Sequence, residues 1–326
     1  MRQFFVFLSV LLLSAPALAS AQAAPADTLR PVSPTRQLSY TYANDLYFRT
    51  DYYFTQGMTL TLVLPALARL PTQRLLARGP VGSTQYHGVA LRYDGFTPLR
   101  IQDDFIRVGD RPYASYIYSS FFRVSRAPQD RQRLTTALEI GFIGPAAGAK
   151  EFQTAIHRVT NSPTPRGWDY QIQSDPVLGY RVAYERQLLA APGIAELRGT
   201  TEASLSTLYT YGSAGAQLRV GRLSPGGWAF GIGDGGSQQP LYIMGLATLE
   251  GRLIGYDATL QGGIFNRNNP YTLAAADIRR TVLRRGAGMT IAYRAVQLAG
   301  TATWVSPEFA GGRSHAWSQF RLTVRF

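Results

Sequence analysis

No cysteine occurs among the 326 residues, which removes disulfide scaffolds, thiolate zinc sites and cysteine nucleophiles. Charge is also scarce: Asp, Glu, Lys and Arg make up 16% of the chain, against about 25% in an ordinary soluble domain. Acids are the scarcer sign, 20 against 33 bases, for a formal net charge of +13. Past the first two dozen residues there is no stretch of ~18 consecutive apolar positions, so no transmembrane helix is predicted. No G-x-S-x-G nucleophile elbow and no P-loop pattern occurs either. What fills the chain instead is glycine (32), tyrosine (19) and phenylalanine (16), with 45% apolar or aromatic residues, too many for intrinsic disorder.

The N-terminus specifies export. Residues 1–23 combine Arg2, an apolar centre from Phe4 to Leu13, and small-residue cleavage sites at Ala17-Leu18-Ala19 and Ala21-Gln22-Ala23. That is the pattern of a secretory signal peptide, and the apolar centre is too short to span a bilayer. The expected organisation is a signal peptide over 1–23 and a single domain over 24–326. If that domain lies in a membrane it must do so as a barrel, because only helices and closed barrels satisfy their backbone groups in lipid.

Strands of period two run through the domain. Met58, Leu60, Leu62 and Leu64 share a face, with Thr59 and Thr61 on the other. Leu178, Tyr180, Val182 and Tyr184 oppose Gly179, Arg181, Ala183 and Glu185, and the chain closes on Phe320, Leu322, Val324 and Phe326 opposing Arg321, Thr323 and Arg325. Alternation fits either a soluble sandwich or a lipid-facing barrel. The Gly, Ala, Thr, Arg and Glu faces, the aromatic clusters at strand ends and the terminal aromatic favour the barrel. We therefore expect an all-β fold, a transmembrane antiparallel β-barrel of twelve strands. The expected strands cover 37–48, 54–64, 86–95, 113–124, 132–143, 175–188, 196–211, 214–222, 240–250, 252–264, 287–298 with its neighbour 300–307, and 315–326.

One segment departs from period two. Over 149–161, Phe152, Ile156 and Val159 recur at helical spacing, with Pro145 before and Pro163 after. A short loop helix is expected there, either a plug packing its apolar side on the barrel or a carrier for His157, one of three histidines. Histidine titrates near neutrality and can act as a general base. Asn44-Asp45 sits in a strand where both residue types are disfavoured. Asp45 is then either a functional acid at the wall or a lumen acid paired with an arginine. The basic balance suits an anionic glycolipid better than a nucleic acid once export is accepted.

Several blocks share order and spacing with a known family. They are Tyr42-Ala-Asn-Asp45, Thr50-Asp51-Tyr-Tyr53, Phe54-Thr-Gln-Gly57, Asp110-Arg-Pro-Tyr-Ala114, Gly144-Pro145 followed by Gln153 and His157, Gly167-Trp168-Asp-x-Gln171, and Ser306-Pro-Glu-Phe309. Together they resemble the outer-membrane lipid A 3-O-deacylase family, LpxR, across essentially the whole exported chain.

The resemblance implies a calcium-dependent hydrolase of the bacterial outer membrane that removes the ester-linked 3′-acyloxyacyl group of lipid A, with lipopolysaccharide as its substrate; a monomer is expected over an oligomer. Its site would lie between the wall and the loop helix. Position by position it implies His157, Asn44 and Thr55 as catalytic residues and Asp45 with Asn44 as metal ligands. His157 would take a proton from the attacking water, calcium would polarise the carbonyl, and Trp168 would support the helix. The family's turn begins with Tyr where this chain has Phe54. The family's lysine before D-R-P-Y-A has no counterpart there, only Arg92, Arg100 and Arg107. Two other readings remain at this stage: an outer-membrane phospholipase with a Ser/His pair, and a non-enzymatic barrel or pore.

Overall fold

The computed structural model describes residues 30–48, 52–159, 161, 163–221 and 241–326. The proposed signal peptide and the motif residues Thr50 and Asp51 lie outside the described residues. Twelve antiparallel strands close on themselves: β1 Gln37–Asn44, β2 Tyr53–Val63, β3 Thr84–Thr97, β4 Ala114–Arg126, β5 Gln132–Ile143, β6 Asp175–Ala191, β7 Ala195–Ser206, β8 Tyr209–Gly221, β9 Leu241–Asp257, β10 Thr281–Tyr293, β11 Val296–Val305 and β12 His315–Arg325. Each pairs with its sequence neighbours, and β1 closes the wall on β12 in a register running from Gln37 opposite Arg325 to Asn44 opposite Ser318. Closure removes every free edge, so the backbone satisfies itself without water. The start of β1 and the end of β12 lie at one end, called here the terminal end, and the long loops 98–113, 144–174 and 258–280 lie at the other, the outer end.

The two faces of the wall decide between sandwich and barrel. Leu38, Tyr40, Leu60, Leu91, Ile140, Leu178, Leu298 and Leu322 all point outward and are exposed, whereas Arg181, Arg219 and their acidic partners point in. Inside, Arg181 pairs with Glu139 at 3.0 Å and Glu202 at 3.3 Å, and Arg219 with Glu196 at 2.6 Å. Apolar outside and paired charges inside is the arrangement of a wall in lipid. Ion pairs of this kind replace the water a charged lumen would otherwise need, and removing one partner strands the other.

The strand total agrees with the sequence, but its partition differs. The segments 240–250 and 252–264 form a single strand, β9, which ends at Asp257, because Gly251 pairs with Ala214 and Leu283 without a break. The segments 287–298 and 300–307 are instead parts of two strands. β10 begins earlier, at Thr281, and the turn falls at Arg294-Ala295, where Arg294 takes the left-handed φ of 51° that tight hairpins require. The window 196–211 likewise spans the turn between β7 and β8.

One connector at the terminal end does not stay at the rim. Between β2 and β3, two 3-10 turns, Pro65–Arg69 and Pro71–Arg74, carry the chain across the outward face of β3 to β6. Arg123, outward on β4, donates to the carbonyls of Leu76 and Gln73 at 2.7 Å each, Thr136 donates to that of Ala77, and His87 bonds to Gln73 at 2.8 Å. These polar side chains could not face hydrocarbon unpaired. The strap is what makes them tolerable on that side of the wall.

Candidate active site on the outer wall

β1 and β2 build the first half of the site. Ala43 and Gly57 line the lumen, so their neighbours Asn44 and Gln56, opposite each other in register, turn to the exterior. The ladder between β2 and β3 slips between Phe54 and Gln56, leaving Thr55 as the extra residue of a β-bulge. Bulges bend a strand and re-aim one side chain. Two residues before it, Tyr53 holds a left-handed φ of 70°, unusual for an aromatic residue. Edge-on packing against Phe309 and His315, at 5.4 and 5.5 Å, keeps it there. Asn44 Nδ2 donates to the Thr55 carbonyl at 2.6 Å, tying the two strands together. Asp45, the next residue, opens a 3-10 turn that closes with Phe48 N–H donating to its carbonyl at 2.9 Å. Its side chain is buried, 3% exposed.

The second half is the loop helix, α1, Ala149–Val159. It lies on the outward side chains of β2 to β4, in a cluster of Tyr93, Tyr113, Ala149 and Trp168 with Met58 and Ile117. The expected apolar stripe is split. Phe152 packs against Tyr93 at 6.0 Å, while Ile156 and Val159 are exposed, and the buried face is completed by Ala149 and Gln153. The helix therefore carries a polar residue where a plug would carry an apolar one. Gln153, 1% exposed, accepts from Trp168 Nε1 at 2.6 Å and donates from Nε2 to Thr55 Oγ1 at 3.3 Å. Gln56 donates to the Tyr93 hydroxyl at 3.2 Å. Trp168 thus supports the helix through a hydrogen bond as well as by contact.

His157 stands one helical turn beyond Gln153, half-buried. Its Nδ1 lies 2.6 Å from the Pro163 carbonyl. A carbonyl oxygen only accepts, so Nδ1 carries the hydrogen in the neutral ring and Nε2 is the basic nitrogen. Among the described residues His157 makes no direct bond to Asn44, Asp45 or Thr55; it reaches their neighbourhood through α1. The chain's single lysine, Lys150, begins the same helix and pairs with Asp169 at 2.5 Å.

Of the three arginines in the lysine's expected segment, Arg92 points into the lumen and pairs with Asp94 at 2.7 Å. Arg100 and Arg107 both bind Asp103 in the 98–113 loop. The remaining motif blocks meet inside the barrel mouth rather than at the wall. Arg111, 1% exposed, bonds Glu308 at 2.6 Å and Thr259 at 2.7 Å; Thr259 lies in α2, Ala258–Gln261, capped by Asp257. Burial alone would raise the Glu308 carboxyl, but the charges of Arg111, His315 and Arg284 hold it below its ordinary 4.5. This clasp went unpredicted, since its partners lie 197 positions apart; opposite charges in two of the matching blocks were the available signal.

A family model described as outer membrane protein LpxR matches residues 5–326. The chain belongs to the LpxR family. Its wall accordingly crosses the outer membrane. Among solved structures, LpxR from Salmonella typhimurium superposes with a TM-score of 0.72 at 20% identity, covering 89% of this chain and 100% of that one. The beta domain of the Bordetella autotransporter BrkA (TM-score 0.45, 13% identity, 90% of this chain and 99% of that one) is more distant. No match was found among curated protein sequences. The match to LpxR from Salmonella extends the fold assignment over the whole barrel, with twelve strands closed on β1 and β12.

Proposed function

We propose that this LpxR-family barrel is a lipid A deacylase, exported by its 1–23 signal peptide and working as a monomer, which hydrolyses the ester-linked 3′-acyloxyacyl group. The observation that carries the reading is the side of the wall on which the polar cluster lies. Asn44, Thr55 and Gln56 lie at the outer end on the exterior, beneath the helix that carries Gln153 and His157 and leaves Ile156 and Val159 exposed. A solute crossing the lumen would never meet them. A lipid of the outer leaflet meets them by lateral diffusion, with its acyl chains already against the apolar wall.

Neutral His157, with Nδ1–H held by Pro163, takes a proton on Nε2 from water. The water oxygen attacks the ester carbonyl carbon, and no serine nucleophile is needed. On collapse the bond to the sugar oxygen breaks and His157 returns the proton to that oxygen, giving a free fatty acid and a sugar hydroxyl. Thr55 and Asn44 orient the reacting groups, and Gln153 fixes Thr55 Oγ1.

Asp45 and Asn44 supply a carboxylate and an amide oxygen at a chain reversal, with backbone carbonyls beside them. These are the hard oxygen donors calcium takes. Among the described residues no three of His, Cys, Asp and Glu gather, so such a site has low charge and draws further oxygens from backbone, water or substrate. When bound, calcium supplies positive charge that polarises the ester carbonyl.

The test is mass spectrometry of lipid A from cells expressing the protein with calcium, beside His157→Ala. The wild type is expected to remove one acyloxyacyl group, and the variant to be slower by about 10²–10⁴-fold. An unchanged profile in the wild type refutes the deacylase. Loss of a phospholipid acyl chain instead identifies a phospholipase.

A further inference from the structure

On the far side of Asp45 from α1, the outer wall carries a groove of about 440 Å³, within the range of sites that hold small ligands. Its lining includes Phe48, Leu283, Arg285, Trp304, Ser306 and Ser314, with no acid among its residues. Phe48 packs edge-on against Trp304 at 5.5 Å, and the Arg285 guanidinium lies 5.9 Å from the centre of the same ring. Leu283 N–H donates to Ser306 Oγ at 2.9 Å, which leaves the Ser306 hydroxyl hydrogen to donate elsewhere.

Arg285 is the anomaly. It shares the outward face of β10 with Leu283, Met289, Ile291 and Tyr293, all exposed apolar residues. Among the described residues it has no ion pair and no hydrogen bond; its contact is the Trp304 ring. Eight positions separate it from Tyr293 at the terminal end, roughly 27 Å of strand at ~3.4 Å per residue. With a tilt near 40° that is about 21 Å of an apolar band ~25 Å tall. Arg285 therefore lies just inside the outer edge of the band, where an anionic headgroup sits. An unpaired cation on the lipid-facing wall is unfavourable unless a lipid supplies the anion.

We propose that this groove is a second substrate subsite, in which Arg285 and Ser306 hold a phosphate of a phosphorylated glycolipid while one of its acyl chains lies between Phe48, Leu283 and Trp304. The inference rests on the deacylase reading, because it assigns both sites to one lipid. Phe48 closes the turn that Asp45 opens, so the groove begins about 6 Å from Asp45 at the ~2 Å rise of a 3-10 turn. A glycolipid wide enough to carry several chains covers both. The phosphate would then set which of its esters reaches His157.

The experiment uses the full chain in detergent and Arg285→Gln, with cold gel migration confirming the folded barrel. The substrates are phosphorylated lipid A and the same lipid stripped of phosphate. Without the guanidinium's charge-assisted bond to phosphate, KM for the phosphorylated lipid should rise by roughly tenfold or more, with kcat within about twofold and no difference on the stripped lipid. Native mass spectrometry in chelator reads retention directly and should drop by a similar factor. Equal KM and equal retention in the two proteins overturn the subsite. Retention of phosphatidylglycerol that depends equally on Arg285 overturns the glycolipid assignment. Retention that depends on Arg285 in a protein with no turnover keeps the subsite and refutes the deacylase reading.

Discussion

Gln153→Leu is the sharpest perturbation of the site. Leucine keeps the volume and the helix propensity, so the change isolates two polar bonds. One is the 2.6 Å bond from Trp168, whose indole N–H is left buried at 1% exposure with no acceptor. The other is the weaker 3.3 Å bond to Thr55 Oγ1. A stranded buried donor together with the loss of a neutral hydrogen bond costs about 2–4 kcal/mol. That shifts the docking of α1 on the wall by roughly 30- to 700-fold. The wall ladder is untouched, so the folded barrel should keep its cold gel migration. Limited trypsin digestion reads the helix: Lys150 and Arg158 lie within α1, and cleavage there requires local opening. Cleavage at these two residues should accelerate by that factor while turnover falls. If the variant is cut and turns over lipid within twofold of the wild type, the Trp168–Gln153–Thr55 relay does not hold the helix.

Glu308→Gln strands Arg111, whose side chain is 1% exposed, and should destabilise the barrel mouth by about 3–5 kcal/mol, read as a lower heat-modification temperature. The held-down Glu308 carboxyl contributes stability that is present above its ordinary 4.5 and lost as pH falls through its lower folded value. The wild type should become more heat-labile as pH falls below that ordinary 4.5, and the variant should lack that transition. Asp45→Asn should abolish turnover with the barrel intact, and chelator should do the same to the wild type; full activity in chelator would remove the metal from the mechanism. Gly141→Ala places a methyl group against the carbonyl oxygen of Ile117 and the Cα of Tyr118. Because these are backbone atoms, it should cost about 1–3 kcal/mol, seen as a smaller folded fraction on a cold gel.

The barrel was legible because lipid outside and ion pairs inside impose opposite chemistry on alternate residues, as in Leu178 against Arg181. It was legible only where lipid touches the wall. Under the strap, Arg123, Thr136 and His87 point outward and break the apolar rhythm. Arg284-Arg285-Gly286 hid the start of β10, since a cationic pair with glycine lacks the β-branched, apolar character of a wall strand. Gly251 conversely suggested a break that continuous pairing on both sides prevents. In the site, the motif blocks pointed to Asn44, Asp45, Thr55 and His157, but not to the bulge that turns Thr55 toward Gln153. The Arg111–Glu308 clasp depends on closure of the whole barrel, which no local pattern encodes.

Lys150 has a practical consequence. Its ε-amine is the only lysine amine in the chain, and it begins the helix that covers the candidate site. An amine-directed fluorophore should therefore report on α1, with the chain terminus as the competing label. The absence of cysteine adds a second, orthogonal handle. A cysteine introduced at an exposed position on the rim, such as Tyr47, would be unique, and energy transfer between the two dyes would read the distance between the helix and the rim with and without lipid.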